Sequence, residues 1–303
     1  MRVALAWRRL ESLTGISRQS LRVQATVADS RYRSRKLTSA NGKTRDLDVP
    51  LSDLRALQVR LVAVLKPLFR PPDQMHGFIR GRSPLTAGKP HCRRQTVLGV
   101  DIRDCYPTIN YHSVWRALVF RLGVASNLAE VLARVFTVRG RLPQGSPSSP
   151  FISNVVLAGV CDDIGDICRV LSLEFSMYAD DIQASGDKAA AKHALPRILR
   201  ALRKYGFEAK REKIKFQNAG SRQRILGLNV DRWKPKVGNW AKRAIVKQAM
   251  EARGEQSAGE KPSTQSLLGK IAWIRSVSPR QARSLRRLAE SLRVAGSAAR
   301  PNH

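Results

Sequence analysis

The residues of this chain best equipped for chemistry are three carboxylates. Asp180 and Asp181 stand side by side in SMYADDIQASG, residues 176–186, and Asp101 closes the apolar run QTVLGVD. Strand-like runs flank the first pair, so the two acids occupy a turn that holds their side chains in a fixed geometry. A second pair, Asp162 and Asp163 in CDDIGDI, falls in a helical stretch and reads as a solvated helix face. Bringing Asp101 near Asp180 costs about 4 kcal/mol per close pair at an effective dielectric near 20. Cations must intervene, or the groups must protonate. Two magnesium ions about 3.5–4 Å apart would meet that need, activating an attacking 3′-hydroxyl and stabilising a leaving pyrophosphate in an in-line phosphoryl transfer.

The rest of the composition points to a phosphate-bearing partner. The chain has 303 residues, with 55 Lys+Arg against 23 Asp+Glu and a formal net charge of +32, yet 43% of it is hydrophobic, enough for a sizeable core. Such a surplus repels itself unless a polyanion neutralises it, and nucleic acid is the first expectation. A membrane surface is not expected, because the basic residues run the whole length instead of lining one amphipathic helix. The cysteines Cys92, Cys105, Cys161 and Cys168 have no CxxC spacing, so reduced thiols are expected. The N-terminal apolar run is too short and interrupted for a secretory signal, and no stretch approaches a membrane span. A cytoplasmic protein is the expectation.

The elements that must position these acids can be outlined from pattern. Residues 31–49 read as a basic hairpin turning at Asn41-Gly42. A helix follows, with Ser52 as its cap and Pro67 near its end, and then the strand that Asp101 closes. Helices are expected over 113–138 and 155–170, and a strand pair brackets the acidic turn. Residues 187–207 read as a helix interrupted by Pro196 and closed by Gly206. Residues 251–263 read as a connection, and the segment past Arg232 as basic helices, the last begun by Ser278, Pro279 and Gln281. Without regular βαβ alternation, the class is α+β.

These stretches resemble a known family. YADD (178–181), DIRDCYPTI (101–109) and RLPQGSPSSPFISN (141–154) are similar, in the same order, to the catalytic motifs of reverse transcriptases. HGFIRGRSPLTAGKPH, GFEAKREK and LLGKIAWIRSVSPRQA extend the likeness to bacterial retron enzymes. The resemblance implies a right-hand polymerase of fingers, palm and thumb, with an antiparallel palm sheet packed on helices. It divides the chain into an arm (1–30), fingers (31–100), palm with interleaved fingers helices (101–231) and a helical basic thumb (232–303). The implied activity is RNA-directed DNA synthesis from deoxynucleoside triphosphates on a structured non-coding RNA. The implied role is antiphage defence, alongside a separate effector protein. A group II intron-like or other defence-associated enzyme, or a polymerase with little template dependence, remains the alternative.

Carried over by position, Asp101, Asp180 and Asp181 are the magnesium ligands, and Lys213 is the lysine that protonates the departing pyrophosphate. Tyr106 matches the steric gate against a 2′-hydroxyl. Gln144 and Gly145 shape the nucleotide pocket, glycine allowing backbone to approach the substrate, and Arg82 and Lys89 meet the triphosphate. In the thumb, Lys270, Arg275, Arg280, Arg283, Arg286 and Arg287 track nucleic-acid phosphates. Two departures stand out. Retron enzymes commonly carry Asn-Ala-x-x-His where this chain has AGKPH (87–91), keeping His91, and Val-Thr-Gly where it has Ile225-Leu226-Gly227. Both elements are tied to recognition of the retron RNA.

Overall fold

The computed structural model describes residues 4–38, 44–253, 264–283 and 285. Two helices, α1 (Trp7–Thr14) and α2 (Arg18–Thr26), precede the antiparallel ribbon β1 (Tyr32–Thr38) and β2 (Thr44–Pro50). Next come α3 (Ser52–Leu65), the short α4 (Pro84–Gly88), β3 (Thr96–Asp101) and α5 (Cys105–Thr108). Helices α6 (Tyr111–Leu122), α7 (Ser126–Phe136) and α8 (Ser149–Val170) lead to the hairpin β4 (Glu174–Tyr178) and β5 (Asp181–Gly186). Then follow α9 (Lys188–Lys204), β6 (Lys215–Asn218), β7 (Arg224–Ile225), β8 (Leu228–Asn229) and β9 (Lys236–Val237). The described chain ends in α10 (Asn239–Arg253), α11 (Thr264–Val277) and α12 (Pro279–Arg283).

The central sheet is antiparallel, in the order β4-β5-β3-β6. Side chains alternate across a strand, and the register sorts them cleanly. Leu98, Val100, Ile182, Ala184, Phe175 and Met177 share one face and enter the main core with α8 and α9. The opposite face carries Gly99, Asp101, Asp181, Gln183, Ser185, Ser176 and Tyr178. A smaller three-stranded sheet, β7-β8-β9, not foreseen from the sequence, packs against α11.

Several boundaries differ from expectation. Ser52 is the first residue of α3 rather than its cap; Leu51 stands at the cap position with no side-chain hydrogen bond. Helix α8 starts at Ser149, earlier than expected, with Pro150 in a first turn that needs no N–H from it. Helix α9 passes through Pro196 without interruption. Pro196 and Lys192 lie on its exposed side, so water can take the carbonyl that proline leaves unbonded. Residues 251–253 belong to α10. The turn Asn41-Gly42 and residues 254–263 lie outside the described residues.

Candidate active site

The β4–β5 hairpin brings Asp180 and Asp181 to the end of the sheet, and Asp101 on β3 pairs directly with Asp181. The Ile102 N–H donates to the Asp180 carbonyl at 2.9 Å, tying the two strand ends together. Ala179, at φ 54°, makes the sharp turn that a short hairpin needs. The turn rests on a third segment. His76 N–H donates to the Met177 carbonyl and Met177 N–H to the Gln74 carbonyl. Gly77 lies so close that a Cβ there would stand 2.5 Å from the Ala179 nitrogen. Buried Asn154, on α8, donates to the Gly77 carbonyl at 2.7 Å. The serine-proline motif thus contributes an asparagine that braces the acidic hairpin.

Lys213 Nζ donates to Asp101 Oδ2 at 2.9 Å, and Lys210 Nζ lies 3.0 Å from Oδ1. The three carboxylates consequently titrate apart. Desolvation works to raise Asp101, but hydrogen bonds and charge from Lys213 and Lys210 outweigh it and hold the group below its ordinary value. Burial raises Asp180, helped by the negative charge of Asp101. Burial likewise pushes Asp181 up to about 7, against a 2.5 Å hydrogen bond from Gln183 Nε2. Contact with Asp101 raises Lys213, so its ammonium is held charged.

Tyr106, Gln144 and Gly145 come together as expected, lining a cleft of about 360 Å³ with Arg55, Ser146, Pro147, Ser149 and Pro150. Burial raises the Tyr106 hydroxyl, which bonds Ser153 and also feels the Asp180 charge. The close approach that Gly145 permits is to protein backbone: at φ 121° its missing Cβ would lie 3.1 Å from the Asp48 carbonyl oxygen. Asp48 N–H in turn donates to the Gln144 carbonyl at 2.8 Å, seating the loop under the β1–β2 ribbon. Arg55 was missed from sequence; it is one of two arginines on α3 and one basic residue among many in the chain.

Other expected contacts lie elsewhere. Arg82 directs its guanidinium to the carbonyls of Pro72, Asp73 and Met75, bracing the loop before Gly77 instead of joining the carboxylates. Lys89 is exposed on a 3-10 turn and joins neither group. Lys270 donates to Gln248, and with Arg275 and Arg283 it is exposed on α11 and α12. The side chain of Arg280 and all of Arg286 and Arg287 lie outside the described residues. His91 does not face solvent at all: its ring is fully buried and spans Ser185 at 2.6 Å and Ser176 at 2.8 Å. It ties β5 to β4 and is unavailable to RNA. Leu226 and Gly227, at φ 49° and 79°, form the tight turn between β7 and β8, with the Trp273 ring packed over Gly227.

The family model described as reverse transcriptase (RNA-dependent DNA polymerase) matches residues 34–230. The chain belongs to the reverse transcriptase family. It is 31% identical over 273 residues to the retron Mx65 reverse transcriptase of Myxococcus xanthus, covering 82% of this chain and 61% of that protein. It is 25% identical to the retron Mx162 reverse transcriptase of the same organism (88% and 62%) and 25% identical to the retron Ec86 reverse transcriptase of Escherichia coli (91% and 86%). The chain therefore spans about three fifths of the length of the two Myxococcus relatives.

Reverse transcriptases are metal-dependent as a family, and this member's donor chemistry suits a hard cation. Three carboxylates share one sheet end, and two of them are raised partly by the charge of Asp101. A divalent ion relieves that repulsion. Among the described residues no three donors already close around a point, and Asp101 is engaged by Lys210 and Lys213. The four cysteines are free, and no described helix is long and apolar enough to cross a membrane.

Proposed function

We propose that this chain is an RNA-directed DNA polymerase of retron type, extending a 3′-hydroxyl with deoxynucleoside triphosphates on a structured RNA. The observation that carries this reading is the convergence of Asp101, Asp180 and Asp181 on one sheet end, with Lys213 in contact and the Tyr106–Gln144–Gly145 cleft nearby. Asp101, Asp180 and Asp181 would hold two magnesium ions, which supply Lewis-acid stabilisation of the transferring phosphoryl group. Lys213 keeps its proton at neutral pH and can deliver it to the departing pyrophosphate oxygen. The half-buried ring of Tyr106 lines this cleft, which supports its role as the gate against a 2′-hydroxyl, and Arg55 adds positive charge to the same cleft. Lys270, Arg275 and Arg283 offer an exposed basic surface to the template–product duplex. On this reading residues 31–100 act as fingers, 101–231 as palm and 232–303 as thumb. The relatives' names support the retron type; an RNA-linked single-stranded DNA product and a role in bacterial antiphage defence beside a separate effector complete the proposal, on the family resemblance alone.

The test is primer extension on an RNA template with the Asp180→Ala/Asp181→Ala protein. Incorporation should vanish while RNA affinity stays within about twofold, because the binding charge lies on the lysines and arginines. Undiminished synthesis in that variant would refute the assignment.

A further inference from the structure

Far from the carboxylates, the structure offers a second feature with nucleic-acid chemistry. Trp233 is 79% exposed, at the tip of the loop that joins β8 to β9. The Arg93 guanidinium lies 3.6 Å from the centre of its ring, covering one face. With that face covered and most of the residue accessible, the other face of the indole is open to solvent.

The platform is held from both sides. Arg93 adopts φ 58°, uncommon for a residue with a side chain, and its N–H donates to the Val230 carbonyl at 2.9 Å. Pro235 packs against Gly88, and β8 and β9 close the base of the loop through Leu228–Val237 and Asn229–Lys236 pairing. The segment 231–236 that carries Trp233 also holds Arg232, Lys234 and Lys236, all exposed, against one acid, Asp231. An aromatic face framed by cations suits a base stacked on the ring with its phosphates on the lysines and arginines. Bases in the interior of a duplex keep both faces covered by their neighbours, so a surface on the flank of the protein favours an unpaired nucleotide over all but the end pair of a duplex.

Position separates this feature from the reaction centre. Arg93 precedes Thr96, the start of β3, and about 17 Å of strand lies between Thr96 and Asp101 at ~3.3 Å per residue. We propose that Trp233 and Arg93 form a stacking site for an unpaired nucleotide of the RNA bound by this enzyme, away from the end being extended. The RNA assignment rests on the polymerase reading above; the stacking chemistry does not.

The test measures equilibrium binding of a short unstructured oligoadenylate RNA, the DNA of the same sequence and a blunt RNA duplex, without nucleotides. Trp233→Ala should weaken the single-stranded RNA about tenfold and leave the duplex within about twofold, and Trp233→Phe should recover most of the loss. Its melting temperature should not move, because the side chain is exposed. Unchanged single-strand affinity in Trp233→Ala, or an equal loss on the duplex, overturns the proposal. Tighter binding of DNA than RNA through Trp233 overturns the RNA assignment. The same binding measured in the Asp180→Ala/Asp181→Ala background should still depend on Trp233. Failure of primer extension alone would refute the polymerase reading and leave the stacking site standing.

Discussion

Replacing Gly77 with alanine tests whether the 74–77 segment sets the position of the catalytic turn. The added Cβ would lie 2.5 Å from the Ala179 nitrogen and 3.2 Å from the Ala179 Cα and the Tyr178 carbonyl carbon. All of these are backbone atoms, so no rotamer change can relieve the overlap. The separation must grow by about 1 Å to reach ordinary contact. The segment is pinned by the Asn154 bond to the Gly77 carbonyl and by paired bonds to Met177, so the hairpin must share the movement. Overpacking of this kind costs about 1–3 kcal/mol, and a misplacement near 1 Å in a reacting group lowers the rate on the order of a hundredfold. Gly77→Ala should therefore lower kcat in primer extension about ten- to a hundredfold, with a KM for template little changed and a Tm lower by several degrees. Asn154→Ala, which removes the brace from the other side, should lower kcat in the same assay. Wild-type kcat in Gly77→Ala, with an unchanged Tm, would refute the argument that this contact positions the acids.

Two further outcomes follow from buried titrating groups. Burial lowers His91 to about 3, so between its unfolded value near 6.5 and about 3 the unfolded chain binds a proton that the folded chain does not. Stability is lost as pH falls through that window, by about 2 kcal/mol at pH 5 from this residue. Urea unfolding at pH 7 and 5 should show a smaller loss in His91→Gln, and an identical loss would count against the buried neutral ring. Asp181 behaves oppositely: raised to about 7, it destabilises the metal-free fold above that pH and the penalty fades as pH falls toward its unfolded value. Asp181→Asn should raise the Tm of the metal-free protein at pH 8, by an equivalent of roughly 2–4 kcal/mol, while ending synthesis. A lower Tm at pH 8 would contradict the buried, proton-seeking carboxylate.

What could be seen in the sequence was what local chemistry dictates. The apolar run QTVLGVD and the strand-like runs around the acidic turn marked the strands, whereas the shared face of Asp101 and Asp181 follows from the register of β3 on β5. Lys210 escaped notice because family register favoured Lys213, yet a 3-10 turn over Arg211–Lys213 places residues three apart on one side. Both lysines therefore reach the same carboxylate. The histidine of AGKPH was tied to RNA by resemblance, whereas its partners Ser176 and Ser185 lie 85 and 94 residues away and nothing local marks them. Gly77 and Asn154 likewise take their meaning from contacts across 77 residues, which no spacing rule reports. Pro196 misled for the converse reason: a strong local breaker was overridden because its freed carbonyl faces water.

The electrostatics also explain how so acidic a cluster coexists with a partner made of phosphate. Counted formally, three adjacent aspartates present three negative charges. In the fold, Asp101 is held below its ordinary value, and it faces two ammonium groups at 2.9 and 3.0 Å. Burial biases Asp180 and Asp181 toward their neutral forms. Burial thus works against full ionisation of the cluster, and lysines stand beside it before β6. The two lysines offset part of the cluster's repulsion toward a polyanion, and the +32 charge of the chain supplies long-range attraction. Moving the lysines away would reverse that balance locally. On the proposed polymerase reading, Lys210 and Lys213 would favour the docking of nucleic acid as well as the ionisation of Asp101.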